Sequence, residues 1–447
     1  MTDGAVGTAR VPRLPLMIKL ISGYLRLLAL GLLGALVFPS CVYDTYDEDL
    51  DGNDQAVRLV LQINAIGPDT RADNAGVVEM INSLRIIMIN EDGALEVNDK
   101  ITSADVKKEA AGFSYTYFRF ISPGKKRVYL VANEESVGEV RFSDTSDLPS
   151  LPTNSLSSLF SHFTAGADAV AAGQNMEKVL GRVYFNNDNT LSGTDGKIYL
   201  PYSSTYEITV EDIGGITHLE NPLYLVPVAT KLDLIFINRR EKTAQVDDVL
   251  FCSLNRNNYL NARLDPSEQT RQLHEQNVWW IDWLQACSVA SQSAQDNVEF
   301  NKLWGWIKKY ELPLPGEQKI QKSLNPNGDL WVVDALEDKN NPYKLQVGPF
   351  YLPESIQPTT HTPDEYDNPE DAPQPGDQLY TLTFKVRNQG EDVSYTIAGI
   401  ELFDVKALFR GTHVVVTAEF FENEVEIYAE IGPWVKRRFL GFLQEDV

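Results

Sequence analysis

Short alternations of apolar and polar residues recur along most of this chain. The first alternation runs from Gln55 to Ile66 and places four aliphatic side chains on one face. These are Val57, Leu59, Leu61 and Ile63. Polar residues such as Arg58 and Gln62 fall on the other face. Because successive side chains of a strand point to opposite sides, the pattern predicts a β-strand with one buried face.

Similar segments bounded by turn residues follow, and they predict a mainly β protein. They are Ser83–Asn90, Ser114–Arg119, Arg127–Ala132, Lys197–Pro201, Tyr206–Val210, Val226–Asn238, Tyr380–Val386, His413–Phe421 and Glu424–Trp434. One short helix is predicted over Ser155–Phe163. Two β-sandwich domains in tandem, residues 72–222 and 223–447, account for the two runs of strands. Pro and acidic residues between Pro353 and Asp377 predict a long mobile loop.

The segment before the first strand is typical of an exported protein. Leu27 to Phe38 is an apolar run of 12 residues preceded by Lys19 and Arg26. A helix needs roughly 20 apolar residues to span a bilayer, so this run fits a signal peptide better. Cys41 follows directly, and the arrangement resembles a bacterial lipoprotein signal over residues 1–40, in which the cysteine thiol is acylated. Phe38 and Pro39 depart from the usual residues before that cysteine.

The net charge of the chain argues against two classes of partner. The 447 residues carry a formal net charge of −24, which argues against binding nucleic acid or an anionic lipid surface. Acidic residues cluster just after Cys41 and predict a solvated tether. Cys252 and Cys287 are the other two cysteines, and the sequence leaves open whether they form a disulfide or remain two buried thiols.

No catalytic motif or metal-ligand spacing is present in the sequence, so we expect neither an enzyme nor a cofactor. Six of the seven tryptophans fall between residues 279 and 331, within a segment of about 275–345. Five of them form a candidate patch for a glycan or protein: Trp279, Trp280, Trp283, Trp304 and Trp306. Exposed aromatic side chains are common binding platforms. The alternative is that this insertion has a small core of its own.

The order of several segments resembles a known family. A lipoprotein-like signal is followed by an apolar strand, then by Thr70-Arg71-Ala72 in a loop rich in Gly, Pro and Asp, and later by a strand ending in Ala132-Asn133. Near the C-terminus come the segment from Arg410 to Val416 and the run VEIYAEIGPWV. In this order they resemble the two-domain fimbrillins (type V pilins) of Bacteroidales, whose sandwich domains are transthyretin-like.

The resemblance implies a precursor lipoprotein of the outer membrane, palmitoylated at Cys41. An arginine-specific protease would cut between Arg71 and Ala72, which removes residues 41–71 with the first strand. A neighbouring subunit would then fill the vacated groove by donor-strand exchange. The donor candidates lie in the C-terminal segment 433–447, in two alternative registers: Trp434, Val435, Phe439, Leu440, Phe442 and Leu443.

On this resemblance the chain is expected to be a structural subunit of a cell-surface fimbrium (pilus) that supports adhesion and biofilm formation. Its partners would be other fimbrial subunits in a head-to-tail polymer, the protease, and a surface glycan or protein. Two alternatives stay open. One is a tip or accessory adhesin of the same fimbrium, and the other is a glycan-binding surface lipoprotein that keeps its lipid and does not polymerise.

Overall fold

A computed structural model describes most of the chain from residue 56 onward. The described ranges are 56–66, 78–166, 168–186, 197–211, 215–254, 256–262, 320–336, 342–356, 380–391, 394–402, 405, 407–422 and 424–433. The predicted signal, tether, cleavage bond and tryptophan patch lie outside them, as do residues 434–447 of the donor segment, Cys287 and residues 357–377 of the predicted loop. Cys252 is buried.

The protein is mainly β, as the sequence predicts. The strands of its first part are β1 (Val57–Ala65), β2 (Val78–Ile81), β3 (Leu84–Asn90), β4 (Leu95–Ile101), β5 (Lys108–Glu109), β6 (Ser114–Ile121), β7 (Gly124–Ala132), β8 (Val140–Phe142), β9 (Val183–Asn186), β10 (Lys197–Ile198), β11 (Tyr202–Val210), β12 (Ile216–His218) and β13 (Leu223–Pro227). Short 3-10 helices occur at Ala110–Gly112 and Glu134–Ser136.

One eight-stranded sheet organises the first part. Its order is β12-β1-β13-β11-β7-β3-β4, and β6 also pairs with β1. Alternate residues of β3 enter two different buried clusters: Ile86 and Met88 lie in one, and Ile87 and Ile89 lie in the other. The sheet is therefore covered on both faces. On the second face pack the helices α1 (Leu156–Ser161) and α2 (Ala169–Arg182).

The second part has the strands β14 (Thr230–Asn238), β15 (Ala244–Leu254), β16 (Asn257–Tyr259), β17 (Ile320–Ser323), β18 (Trp331–Val333), β19 (Tyr343–Leu352), β20 (Ser355–Ile356), β21 (Thr381–Asn388), β22 (Ser394–Glu401), β23 (Ala407–Leu408), β24 (Thr412–Phe420) and β25 (Val425–Pro433). A sheet of order β19-β14-β24-β25 and another of order β17-β15-β21-β22 contribute side chains to one buried cluster. The two sheets therefore pack against each other across that core.

Each predicted strand overlaps an observed one, although most of the bounds differ by a few residues. The predicted strand Val226–Asn238 is divided between β13 and β14, which belong to different sheets. The change of sheet thus falls a few residues after the predicted domain boundary at residues 222 and 223. The predicted helix is shortened to α1, where Ser155 caps the start by accepting a hydrogen bond from the Ser158 N–H at 3.1 Å.

Asn133 directly follows the last residue of β7. Its backbone is left-handed, with φ of 56°, a conformation that asparagine adopts more readily than most residues. Its side-chain amide donates to the carbonyls of Met80 and Leu200, each at 2.7 Å, and its Oδ1 accepts from the Asn82 N–H at 2.7 Å. One buried side chain therefore holds three chain segments at the end of the sheet.

Arg410 is the largest fully buried side chain among the described residues. Its guanidinium contacts Glu354 Oε2 at 2.7 and 2.9 Å and donates to the Leu260 and Tyr259 carbonyls, each at 2.8 Å. A further bond of 3.2 Å reaches Ser203 Oγ in β11. All five N–H donors of the guanidinium are thereby used. Glu354 is only 2% exposed, so the first residues of the predicted Pro353–Asp377 loop are anchored in the interior.

We predict that Arg410→Met destabilises the chain by about 3–5 kcal/mol, because it leaves the Glu354 carboxylate buried without its cation. Urea denaturation of the purified chain measures this difference. The control is Arg141→Met, which removes an exposed pair with Glu139 and should change stability by no more than about 0.5 kcal/mol. Equal stability of the two variants would contradict the role assigned to Arg410.

Candidate functional site

Strand β1 has one face fully inside the protein. Val57, Leu59, Leu61 and Ile63 are each no more than 1% exposed, and all four belong to the buried cluster on the first face of the large sheet. The opposite face of the strand carries Arg58 and Gln62, which are exposed. The structure thus places the four aliphatic residues where their alternation predicts.

The neighbours of β1 give it a special position in the sheet. It runs antiparallel to β6 from the Val57–Ile121 pair to the Asn64–Ser114 pair. Along its other edge it runs parallel to β12 and then to β13. Among the described strands, β6 and β12 pair with no strand except β1. The backbone hydrogen bonds that join β6 to the sheet therefore all pass through β1.

Side chains hold β6 in a second way. Tyr117 of β6 donates a hydrogen bond of 2.6 Å to Asp99 Oδ2 of β4, and Arg119 lies 3.5 Å from the same oxygen. Burial, together with the nearby Asp99 carboxylate, raises the pKa of Tyr117 well above its ordinary value, so the hydroxyl keeps its proton. The sheet therefore curves until its two margins, β4 and β6, touch through side chains.

The burial of β1 is a large part of the stability of its surroundings. Each buried aliphatic side chain contributes roughly 1.5–3 kcal/mol, so the four of them contribute about 6–12 kcal/mol. Whole domains are stable by only about 5–15 kcal/mol. If β1 left, the first cluster would be exposed along a slot between β6 and β13, and both edges of that slot would carry unpaired backbone groups.

The outer surface near β1 carries aromatic side chains that the sequence analysis did not single out. Phe118 and Phe120 of β6 are 51% and 48% exposed, and the Arg58 guanidinium lies 5.1 Å from the centre of the Phe118 ring. The run Ser114–Ile121 has apolar residues on both of its faces, a pattern that signals an edge strand with an apolar outer surface.

Most of the other predicted site residues are not among the described residues. Cys41, Arg71, Ala72, the five patch tryptophans and the six donor candidates all lie outside them. Strand β25 leads into the donor segment, and its residue Pro433 pairs with Thr412 of β24. Trp331, which is described, is half-buried against Phe236 and Phe350, with ring centres 5.9 and 6.2 Å apart, and it belongs to the second core.

No group of three or more His, Cys, Asp or Glu side chains in the described part of the chain is placed to hold a metal ion. No helix in the same residues is both long and apolar enough to cross a membrane.

No protein-family model and no curated protein matches this sequence. Among solved structures, the chain is similar to the C-terminally truncated tip fimbrial protein Mfa3 from Porphyromonas gingivalis. The identity is 14%, the TM-score is 0.43, and the match covers 85% of this chain and 100% of that one. It is also similar to a fimbrial assembly protein from Parabacteroides distasonis, with 11% identity, a TM-score of 0.38, and coverage of 85% and 98%.

Proposed function

We propose that this chain is a structural subunit of a cell-surface fimbrium that polymerises by donor-strand exchange and supports adhesion. The observation that carries the proposal is the position of β1. One short strand fills the gap between β6 and β13, and it contributes four fully buried side chains. A strand in that position can be replaced by another strand of the same apolar pattern without rebuilding the rest of the sheet.

The vacated slot would keep its shape. Strand β6 continues into β7 through the short turn at Ser122 and Pro123, and Tyr117 ties it to β4. The β6 edge of the slot is thus held by contacts that do not involve β1, and the β13 edge is held by its pairing with β11. An acceptor that is already formed binds an incoming strand with less loss of conformational entropy.

Release of β1 follows from the proposed cleavage. The strand ends at Ala65 and the next strand begins at Val78, so Arg71 lies in the connection between them. A cut between Arg71 and Ala72 would break the only covalent link from β1 to the rest of the sheet. Loops rich in Gly, Pro and Asp are common sites of proteolysis.

The proposed donor is the C-terminal segment 433–447 of a neighbouring subunit. It offers two alternate sets of apolar residues, one with Val435, Phe439 and Leu443, and one with Trp434, Leu440 and Phe442. Donor and slot are different surfaces of the molecule, so each contact leaves a free donor and a free slot at the ends of the growing chain. Such contacts build a filament, and this activity requires no catalytic site.

In this proposal Cys41 has a temporary role. Its lipid would hold the precursor at the outer membrane while β1 fills the slot. Cleavage would then remove the lipid, the acidic tether and β1 together, and the subunit would enter the extracellular fimbrium.

We predict that an arginine-specific protease acting on the purified chain beginning at Cys41 yields a product whose N-terminus is Ala72, and that this product forms SDS-resistant ladders. Arg71→Ala should prevent both outcomes, because the sensitive bond is gone. The matched control is Arg141→Ala, which removes another exposed arginine and should behave like the parent. N-terminal sequencing and gel electrophoresis provide the measurements. A product that begins at Ala72 but stays monomeric would refute polymerisation, and ladders from Arg71→Ala would refute the trigger.

A second prediction tests whether β1 leaves. In the uncut chain, Leu61→Ala should lower the free energy of unfolding by about 2–5 kcal/mol, because it opens a cavity in the core. Gln62→Ala, on the exposed face of the same strand, should change it by less than about 0.5 kcal/mol.

After cleavage and assembly, both substitutions should have no effect on stability, since β1 is no longer part of the molecule. Urea denaturation before and after cleavage measures the difference, and mass spectrometry detects the released strand. A destabilisation by Leu61→Ala that persists in the assembled product would show that β1 stays in place.

A further inference from the structure

Lys126 of β7 is a buried lysine with an unusual set of partners. Its side chain is 1% exposed, and lysine is rarely buried without a partner. The Nζ donates to Asn90 Oδ1 at 2.6 Å, to Glu96 Oε2 at 2.7 Å and to Ser122 Oγ at 2.6 Å. The buried amine is therefore in contact with both a carboxamide and a carboxylate.

The fold brings these groups together from three neighbouring strands and a turn. Asn90 is directly opposite Lys126 in the pairing of β3 with β7. The turn after Asn90 closes with a bond of 2.9 Å from the Gly93 N–H to the Asn90 carbonyl and leads into β4, which carries Glu96. The Ser122 N–H donates to the other oxygen of Glu96, which fixes the carboxylate beside the lysine.

The amine is close to an electrophilic carbon. With Nζ at 2.6 Å from Asn90 Oδ1 and a carbonyl bond of about 1.2 Å, Nζ lies within about 3.8 Å of the amide carbon Cγ. Reacting atoms that are held near contact distance in a fixed geometry gain a large rate advantage. Lysine amines are established nucleophiles, and a carboxylate within hydrogen-bond reach can act as general base.

We propose that Lys126 and Asn90 form an intramolecular isopeptide bond, with Glu96 as the general acid and base. Glu96 accepts a proton from the Lys126 ammonium, and the free amine then attacks Asn90 Cγ. The Nζ–Cγ bond forms while the carbonyl electron pair moves to Oδ1. Glu96 gives its proton to Nδ2 and takes the second proton from Nζ. The carbonyl re-forms, the Cγ–Nδ2 bond breaks, and ammonia leaves. The step consumes no oxidant, reductant or other co-reactant.

Two other clusters show what distinguishes this site. Lys100 is 30% exposed, and the groups around its Nζ are the Glu134 and Glu135 carboxylates and the Ser157 hydroxyl, none of which is a carboxamide. Asn98 accepts a bond from Arg85, whose guanidinium stays protonated in proteins and is not a nucleophile. Within the described residues these two clusters each lack one of the three reacting groups.

The cross-link would join two strands that remain in the subunit when β1 leaves. It is independent of the proposed assembly, since β3 and β7 are paired whether or not the slot is filled by β1. The bond would close a covalent loop from residue 90 to residue 126. It would also link the neighbouring strands β3 and β7 covalently.

Mass spectrometry of the purified, uncut chain tests the proposal. The intact mass should be lower than the sequence mass by one molecule of ammonia, and digestion should release a branched peptide that joins the segments around Asn90 and Lys126. Glu96→Gln should lose the branched peptide because the proton carrier is gone. Lys126→Arg should lose it because the nucleophile is gone. The matched control Lys100→Gln should keep it.

The parent chain decides the question even if a variant fails to fold. An intact mass equal to the sequence mass, with Lys126 open to amine-specific labelling after denaturation, would overturn the proposal. A loss of ammonia without the branched peptide would indicate a succinimide at Asn90 and would overturn it equally. A branched peptide that persists in Glu96→Gln would remove the role of Glu96.

Discussion

The insertion of β1 between β6 and β13 is the interaction on which the first part of the protein depends. Backbone pairing along both edges of β1 joins β6 to the rest of the sheet, and the four aliphatic side chains of β1 complete the core beneath it. Hydrophobic burial is non-directional and follows the area removed from water. Under the proposed exchange, another strand with apolar residues at the same alternate positions would satisfy this core in place of β1.

Other contacts in the protein do not share this freedom. Asn133 and Arg410 each fix several segments through buried hydrogen bonds of defined direction. Leaving such groups without partners costs far more than losing one apolar contact. The molecule thus combines a rigid polar framework, which includes the cluster around Lys126, with a strand held mainly by shape and apolar area. That combination would suit the proposed exchange of one strand, in which the rest of the fold is kept.

The alternation of apolar and polar residues predicts much of this architecture, but it does not predict every element. The strands with clean alternation, such as β1 and β24, were found because burial on one face leaves a period of two. Helix α2 and strand β15 were not predicted from the sequence. In α2, Gly173 packs so closely on the turn after β3 that a Cβ would fall 2.0 Å from the Gly93 carbonyl oxygen. The reason for a glycine there lies on another element, so no local pattern reveals it.

By itself, the sequence determined the fold class, the buried face of β1, and the chemical character of the segments around Cys41 and Arg71. These follow from local composition and from the two-residue period of a strand. Only the tertiary structure decided which strands lie beside β1, that β6 and β4 meet through Tyr117 and Asp99, and that Asn90 and Glu96 surround Lys126. Pairings between distant segments depend on how the whole chain fills its core, and the spacing of residues along the chain does not encode them.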